Sequence, residues 1–180
     1  ADSQVTDSAA GGTALATGTK VNNGAIAITP DGDTLTSIAY KAHDAGMKVG
    51  IVATVGIDHA TPASFYAHNV YRGNYAEISS EVGATGFEFF GGGDFIGGED
   101  WIAPAEEAGY TFAFGKNDYN EKKAAEKLIY FQRKDYDKSR TEVVDYVTKH
   151  RDNNPDDICL ADLVEAAVNH LDNPNGFFIM

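Results

Sequence analysis

Apolar residues in this chain come in short runs with two alternating rhythms. Between Thr34 and Ala45, Leu35, Ile38, Ala39 and Ala42 recur at helical spacing, and Gly46 follows as a stop. The run Val49-Gly50-Ile51-Val52-Ala53-Thr54-Val55 is β-branched and bounded by glycine, which predicts a buried strand. Phe87 to Phe90 predicts another, closed by Gly91-Gly92-Gly93-Asp94, with Gly91–Gly98 read as a loop. A helix around Asp100–Ala108 and strands at Tyr110–Phe114 and Lys127–Phe131 follow. Asp118 with Glu121, and Ser139 with Glu142, match the capping-box spacing ahead of helices. In Glu142–His150, Val143, Val144 and Val147 make a narrow apolar stripe. Asp157 to Leu171 reads as a helix with Leu160, Val164, Ala167, Val168 and Leu171 on one face, and Phe177 to Met180 as the last strand. Helices alternating with short apolar strands predict an α/β fold, a largely parallel central sheet flanked by helices on both faces.

Composition narrows the class. At 180 residues and 43% hydrophobic content the chain is long enough to bury a core as one domain. No apolar run is long enough to span a bilayer. A net charge of −13 argues against nucleic acid or an anionic membrane as partner, since both want clustered Lys and Arg. Cys159 is the single cysteine, so neither an internal disulfide nor a Cys-based zinc site can form. Its neighbours Ile158 and Leu160 predict a buried thiol.

The chemistry-bearing stretch is Thr6-Asp7-Ser8-Ala9-Ala10-Gly11-Gly12-Thr13-Ala14. It sets a serine beside an acid and follows it with small residues, so a ligand can approach the hydroxyl. A helix starting at Ser8 would favour a bound anion through its N–H groups and dipole, although Asp-Ser is also an ordinary capping pair. Gly12 to Lys20 is not a nucleotide-binding loop, because the order Gly18-Thr19-Lys20 displaces the required Gly-Lys pair. Of His43, His59, His68, His150 and His170, none is placed next to Ser8 by sequence, and no Gly-x-Ser-x-Gly elbow surrounds it. Arg72 has a planar fork suited to two phosphate oxygens, though most arginines lie in solvent. Thr61, followed by Pro62, has the pattern of a helix cap. His68 reads as packed rather than ligating.

Four ordered blocks carry a family resemblance. Asp7-Ser8-Ala9-Ala10 through Thr13-Ala14 resembles the nucleophile motif of the alkaline phosphatase family. Thr17-Gly18-Thr19-Lys20-Val21-Asn22-Asn23-Gly24-Ala25-Ile26 is similar to the segment after it. His59-Ala60-Thr61-Pro62-Ala63, Tyr66-Ala67-His68 and Arg72 resemble the block with a magnesium ligand and the phosphate-binding arginine. Leu160-Ala161-Asp162-Leu163 and Asn175-Gly176-Phe177-Phe178-Ile179-Met180 resemble the approach to the next metal-ligand block. The resemblance implies hydrolysis of phosphate monoesters through a phosphoserine intermediate, with two zinc ions and one magnesium ion. It implies Ser8 as nucleophile and zinc ligand, Arg72 as the phosphate grip, Asp7 as its support, Thr61 as a magnesium ligand and His59 as a metal neighbour. It also implies a homodimeric parent exported to the periplasm or the cell exterior.

By the same resemblance, residues 1–180 are expected to be a single partial domain of a larger protein, with 116–152 a family-variable surface insertion. Other metal ligands of the family lie outside the sequence, so the isolated chain is expected to be inactive or nearly so, and whether it binds metal by itself stays open. Sulfate esters, phosphodiesters and phosphonates are substrates of the same superfamily and stand as alternatives. So does a non-catalytic, structural or metal-binding piece.

Overall fold

The computed structural model describes residues 3–132 and 154–180. The strands are β1 (Lys48–Val52), β2 (Phe89–Gly92), β3 (Tyr110–Phe114), β4 (Lys127–Phe131) and β5 (Phe177–Ile179). They form one five-stranded sheet in the order β3-β4-β2-β1-β5. Every pairing is parallel, with Ile51 beside Phe90, and Phe90 and Phe112 both beside Ile129. The helices are α1 (Ser8–Thr17), α2 (Ile38–Asp44), α3 (Ala60–Ala63), α4 (Tyr75–Ser80), α5 (Ile102–Glu107), α6 (Gly115–Lys122) and α7 (Leu160–Leu171). One sheet face carries Val49, Ile51, Phe90, Phe112, Ile129 and Phe131 into a core with residues of α1 to α5. The other carries Phe89, Leu128 and Tyr130 against Leu163, Ala167 and Leu171 of α7, with Tyr119 of α6 packed alongside. Strands buried on both faces need apolar residues on both, as the parallel arrangement predicts.

Several boundaries differ from the sequence reading. The strand of 49–55 stops at Val52. The strand expected at Phe87–Phe90 is shifted forward, and Gly91 and Gly92 belong to it rather than closing it. A methyl group on Gly92 would fall 2.7 Å from the Val55 carbonyl oxygen and 2.8 Å from Ile57, so only glycine lets the outgoing β1 segment lie there. The helix expected at 34–45 starts at Ile38. Thr34 instead forms an antiparallel bridge with Ile28, and Ser37 caps the helix by accepting the Tyr40 N–H. Asp118 is not a cap. It sits inside the first turn of α6 and accepts the Phe114 N–H at 2.9 Å.

The helix expected from Asp157 begins at Leu160: ahead of it the Gln132 side chain bonds both the N–H and the C=O of Ile158, and Cys159 is extended. Cys159 is buried, as expected, and caps α7 together with Asp162. The buried face of α7 is Leu163, Ala166, Ala167 and Leu171. Leu160, Val164 and Val168, assigned to the core by spacing, are 42%, 40% and 40% exposed. Of the stretch 116–152 read as an insertion, β4 lies inside the sheet between β2 and β3. The Ser139 capping pattern and the Val143–Val147 stripe lie outside the described residues.

Candidate functional site

Asp7 starts the site. Its backbone is extended, and its Oδ1 accepts the Ala10 N–H at 2.9 Å, so it is the cap that lets α1 begin at Ser8. The other oxygen, Oδ2, accepts the Gly24 N–H at 3.1 Å and an Arg72 N–H at 3.3 Å. The capping and arginine-supporting geometries predicted as alternatives therefore coexist, one on each oxygen. Partial burial pushes the Asp7 carboxyl up. The N–H groups of Ala10 and Gly24 and the Arg72 guanidinium outweigh that and hold it below 3.8.

Arg72 is the hub. Its Nη1 donates to Ser8 Oγ at 2.5 Å as well as to Asp7, and its Nη2 lies 3.4 Å from His59 Nε2. A guanidinium can only donate, so the Nε2 lone pair faces it and the His59 ring proton belongs on Nδ1. The Arg72 backbone is also anchored, its N–H donating to Gly24 O at 2.8 Å. Ser8 is exposed at the first turn of α1, where unpaired N–H groups add to the positive field of Arg72. The overall charge is −13, so an anion would be drawn here by these local donors and not by the protein as a whole.

His59 and Thr61 arrive on the short helix α3. His59 occupies the cap position, and Thr61 lies inside the helix with its surface exposed, so the capping role expected of Thr61 is not the one it takes. The contact between α1 and α3 is tight. A methyl group on Gly12 would fall 2.8 Å from Ser64 Oγ and 3.5 Å from the Thr61 Cα. Small residues after Ser8 thus serve helix packing as well as access to the hydroxyl. Asp7, Ser8, His59 and Arg72 converge through Arg72, whereas Thr61 stands across the Gly12 contact, outside that set of bonds.

Among the described residues the other histidines are engaged elsewhere. His68 is held between Glu81 Oε2 and Leu35 O, each at 3.1 Å, and His43 faces Glu88 at 3.6 Å. His68 is thus packed, as read from the sequence. Among the described residues no group of three His, Cys, Asp or Glu side chains is arranged to hold a metal ion.

Two contributors were not found by sequence reasoning. Asn23 accepts the Asp7 N–H through Oδ1 and donates to Val5 O, fixing the entry to α1. An Asn-Gly pair is a turn signal, but such a signal does not name the partner that the turn will meet. Asp58 is buried one residue before His59, and nothing in its local sequence distinguishes it from a loop carboxylate.

The profile of the family described as alkaline phosphatase matches residues 1–88. Alkaline phosphatase 4 of Bacillus subtilis is 47% identical over 79 residues, which is 44% of this chain and 17% of that protein. The tissue-nonspecific alkaline phosphatase of Homo sapiens is 40% identical over 86 residues, 42% of this chain and 16% of that one. The structure of alkaline phosphatase from the Antarctic bacterium TAB5 superposes with a TM-score of 0.82 at 31% identity, over 100% of this chain and 52% of that one. A histidine-to-glutamate variant of the TAB5 enzyme is described with magnesium in its M3 site. Thermus thermophilus alkaline phosphatase gives a TM-score of 0.81 at 28% identity, over 97% of this chain and 37% of that one. Residues 1–88 match the alkaline phosphatase family, and the chain as a whole superposes on solved members of it while spanning about half the length, 52%, of the TAB5 enzyme.

Proposed function

We propose that this chain is the part of a phosphate monoesterase that attacks and grips the phosphate. The observation that carries the reading is the Arg72 fork, with one nitrogen on Ser8 Oγ and Asp7 and the other against His59. Ser8 Oγ gives up its proton and attacks the phosphorus of a monoester, the bond to the alcohol oxygen breaks, that oxygen takes up a proton and leaves as the alcohol, and a phosphoserine is left. Water then attacks that phosphorus and breaks its bond to Ser8 Oγ, giving inorganic phosphate. Arg72 leaves Ser8 to hold two phosphate oxygens with its parallel N–H groups, while Asp7 keeps its plane fixed. Before substrate arrives, its N–H bond to Ser8 Oγ favours the ionised hydroxyl, because a charged donor stabilises the alkoxide more than the alcohol.

The family implies metal cofactors, read here as two zinc ions and one magnesium ion. This chain's donors toward them would be Ser8, His59 and Thr61, the last a hard oxygen suited to magnesium. Charged donors for the rest of a shell are not gathered among the described residues. For the same reason the isolated chain is expected to turn over phosphate esters weakly or not at all. A homodimeric, exported parent is part of the same reading.

The test is an assay of the complete gene product with a phosphate monoester, a phosphodiester and a sulfate ester. Monoester cleavage is expected to dominate, with a phosphate adduct on Ser8 seen by mass spectrometry. Ser8→Ala is expected to remove the adduct and lower turnover by at least about a thousandfold. Preference for the diester or sulfate ester, or an adduct that survives Ser8→Ala, would overturn the assignment.

A further inference from the structure

Asp58 is fully buried, at 0% exposure, and its carboxylate accepts three hydrogen bonds. Oδ1 takes the Ile96 N–H at 2.9 Å, and Oδ2 takes the Gly97 N–H at 2.7 Å and the Ser79 hydroxyl at 2.9 Å. The donors come from two separate places. Ile96 and Gly97 lie in the segment that leaves β2, and Ser79 lies in α4, the helix that follows Arg72 after Gly73 and Asn74. That segment presses on α4, since a methyl group on Gly97 would fall 2.9 Å from both Ser79 Oγ and the Tyr75 carbonyl oxygen. The carboxylate therefore occupies a slot walled by backbone, with its charge answered by dipoles rather than by a cation. On its other side Asp58 is joined directly to His59, whose ring meets Arg72.

We propose that Asp58 is a positioning residue for the phosphate site. By tying α4 and the 93–97 segment to the backbone just ahead of His59, it fixes His59 and the Arg72 loop relative to one another. The inference rests on the functional reading above. Two backbone N–H groups, one at each oxygen, demand an acceptor-only group, while the Ser79 hydroxyl shares its single proton between Oδ2 at 2.9 Å and Tyr75 O at 2.8 Å. An asparagine of the same size would set its NH2 against at least one of those donors, so a small change at Asp58 reaches Arg72 through α4 and through His59 together.

Inorganic phosphate is titrated into the complete gene product and into its Asp58→Asn, Ser79→Ala, Arg72→Ala and Asp58→Asn/Arg72→Ala variants. Proton–nitrogen spectra of the His59 ring and the Arg72 side chain are recorded before phosphate is added. Asp58→Asn is expected to weaken phosphate binding about tenfold and to shift both sets of resonances. Ser79→Ala, which removes one donor and leaves the carboxylate, is expected to do the same to a smaller degree. The double variant is expected to bind no more weakly than Arg72→Ala alone, because the two act through one group. Unmoved resonances, unchanged phosphate affinity, or losses that add in the double variant would overturn the inference. If Asp58→Asn does not fold, Ser79→Ala decides on the same criteria. Should Arg72→Ala bind phosphate as the unaltered chain does, the functional reading fails, and the spectra alone judge whether Asp58 places the two side chains.

Discussion

Two oxygens of one carboxylate divide the work at Asp7. Oδ1 closes the first turn of α1, and Oδ2 holds the Gly24 N–H and Arg72. Replacing Asp7 with alanine removes the cap and both long-range bonds, so a loss of about 1–2 kcal/mol is expected in urea unfolding. The Asp7 carboxyl is held below 3.8 in the folded chain, so its contribution is present above that value and is lost as pH falls through the lower folded value. The acid limb of the stability curve should therefore be shallower in Asp7→Ala. Gly12 makes a second prediction at this scale. A Cβ there would meet Ser64 Oγ at 2.8 Å, so Gly12→Ala should force α1 and α3 apart and cost about 1–3 kcal/mol. Ser8 and His59 ride on opposite sides of that contact. The same variant should thus weaken phosphate binding, whereas Gly18→Ala, where nothing lies within 4 Å, acts only through its positive φ of 75°.

Among the elements, α7 best separates pattern from packing. Its apolar residues form two overlapping stripes, Leu160-Val164-Val168 and Leu163-Ala167-Leu171, and periodicity alone cannot rank them. The sheet ranks them, because Leu163, Ala167 and Leu171 join Phe89 and Leu128 in one core while the first stripe is left partly exposed. Leu163→Ala should therefore cost about 2–5 kcal/mol in thermal or urea unfolding, and Val164→Gln within about 0.5 kcal/mol of zero. Equal losses at both positions would mean that the helix is rotated from the orientation described. The start of α7 is set in the same way. Gln132, just past β4, pins Ile158, and Cys159 and Asp162 then close the first turn.

On the scale of the molecule, the sheet separates a chemical face from a structural one. Helices α1 to α5 and the site lie on one side, and α6 and α7 pack on the other. Links between distant segments on the site side include a titratable one. His68 stands between the Glu81 carboxylate and the Leu35 carbonyl, and both are acceptors, so only the doubly protonated ring satisfies both. The bond to Glu81 accordingly raises the His68 value above 6.5, against the effect of burial. The sign follows from linkage. This stabilisation is fully present below the unfolded value and is lost as pH rises through the higher folded one. Stability measured by urea unfolding should fall with rising pH above 6.5, and His68→Gln should flatten that fall.

The sequence by itself determined the fold class, because a parallel sheet covered on both faces must be written in short, wholly apolar strands separated by helix-spaced segments. It also singled out Asp7, Ser8 and Arg72 as candidates, because they stand in blocks that resemble the motifs of the alkaline phosphatase family. The tertiary structure alone decided where elements begin and which apolar stripe is buried, since those depend on partners such as Gln132 and Phe89 that lie far away in the chain. It also decided that Gly91 and Gly92 stay in strand, where the segment after β1 crosses close to Gly92 and Leu163 of α7 packs close to Gly91. And it decided that Asp58 matters, since a carboxylate buried against backbone N–H groups looks, residue by residue, like any acid in a loop.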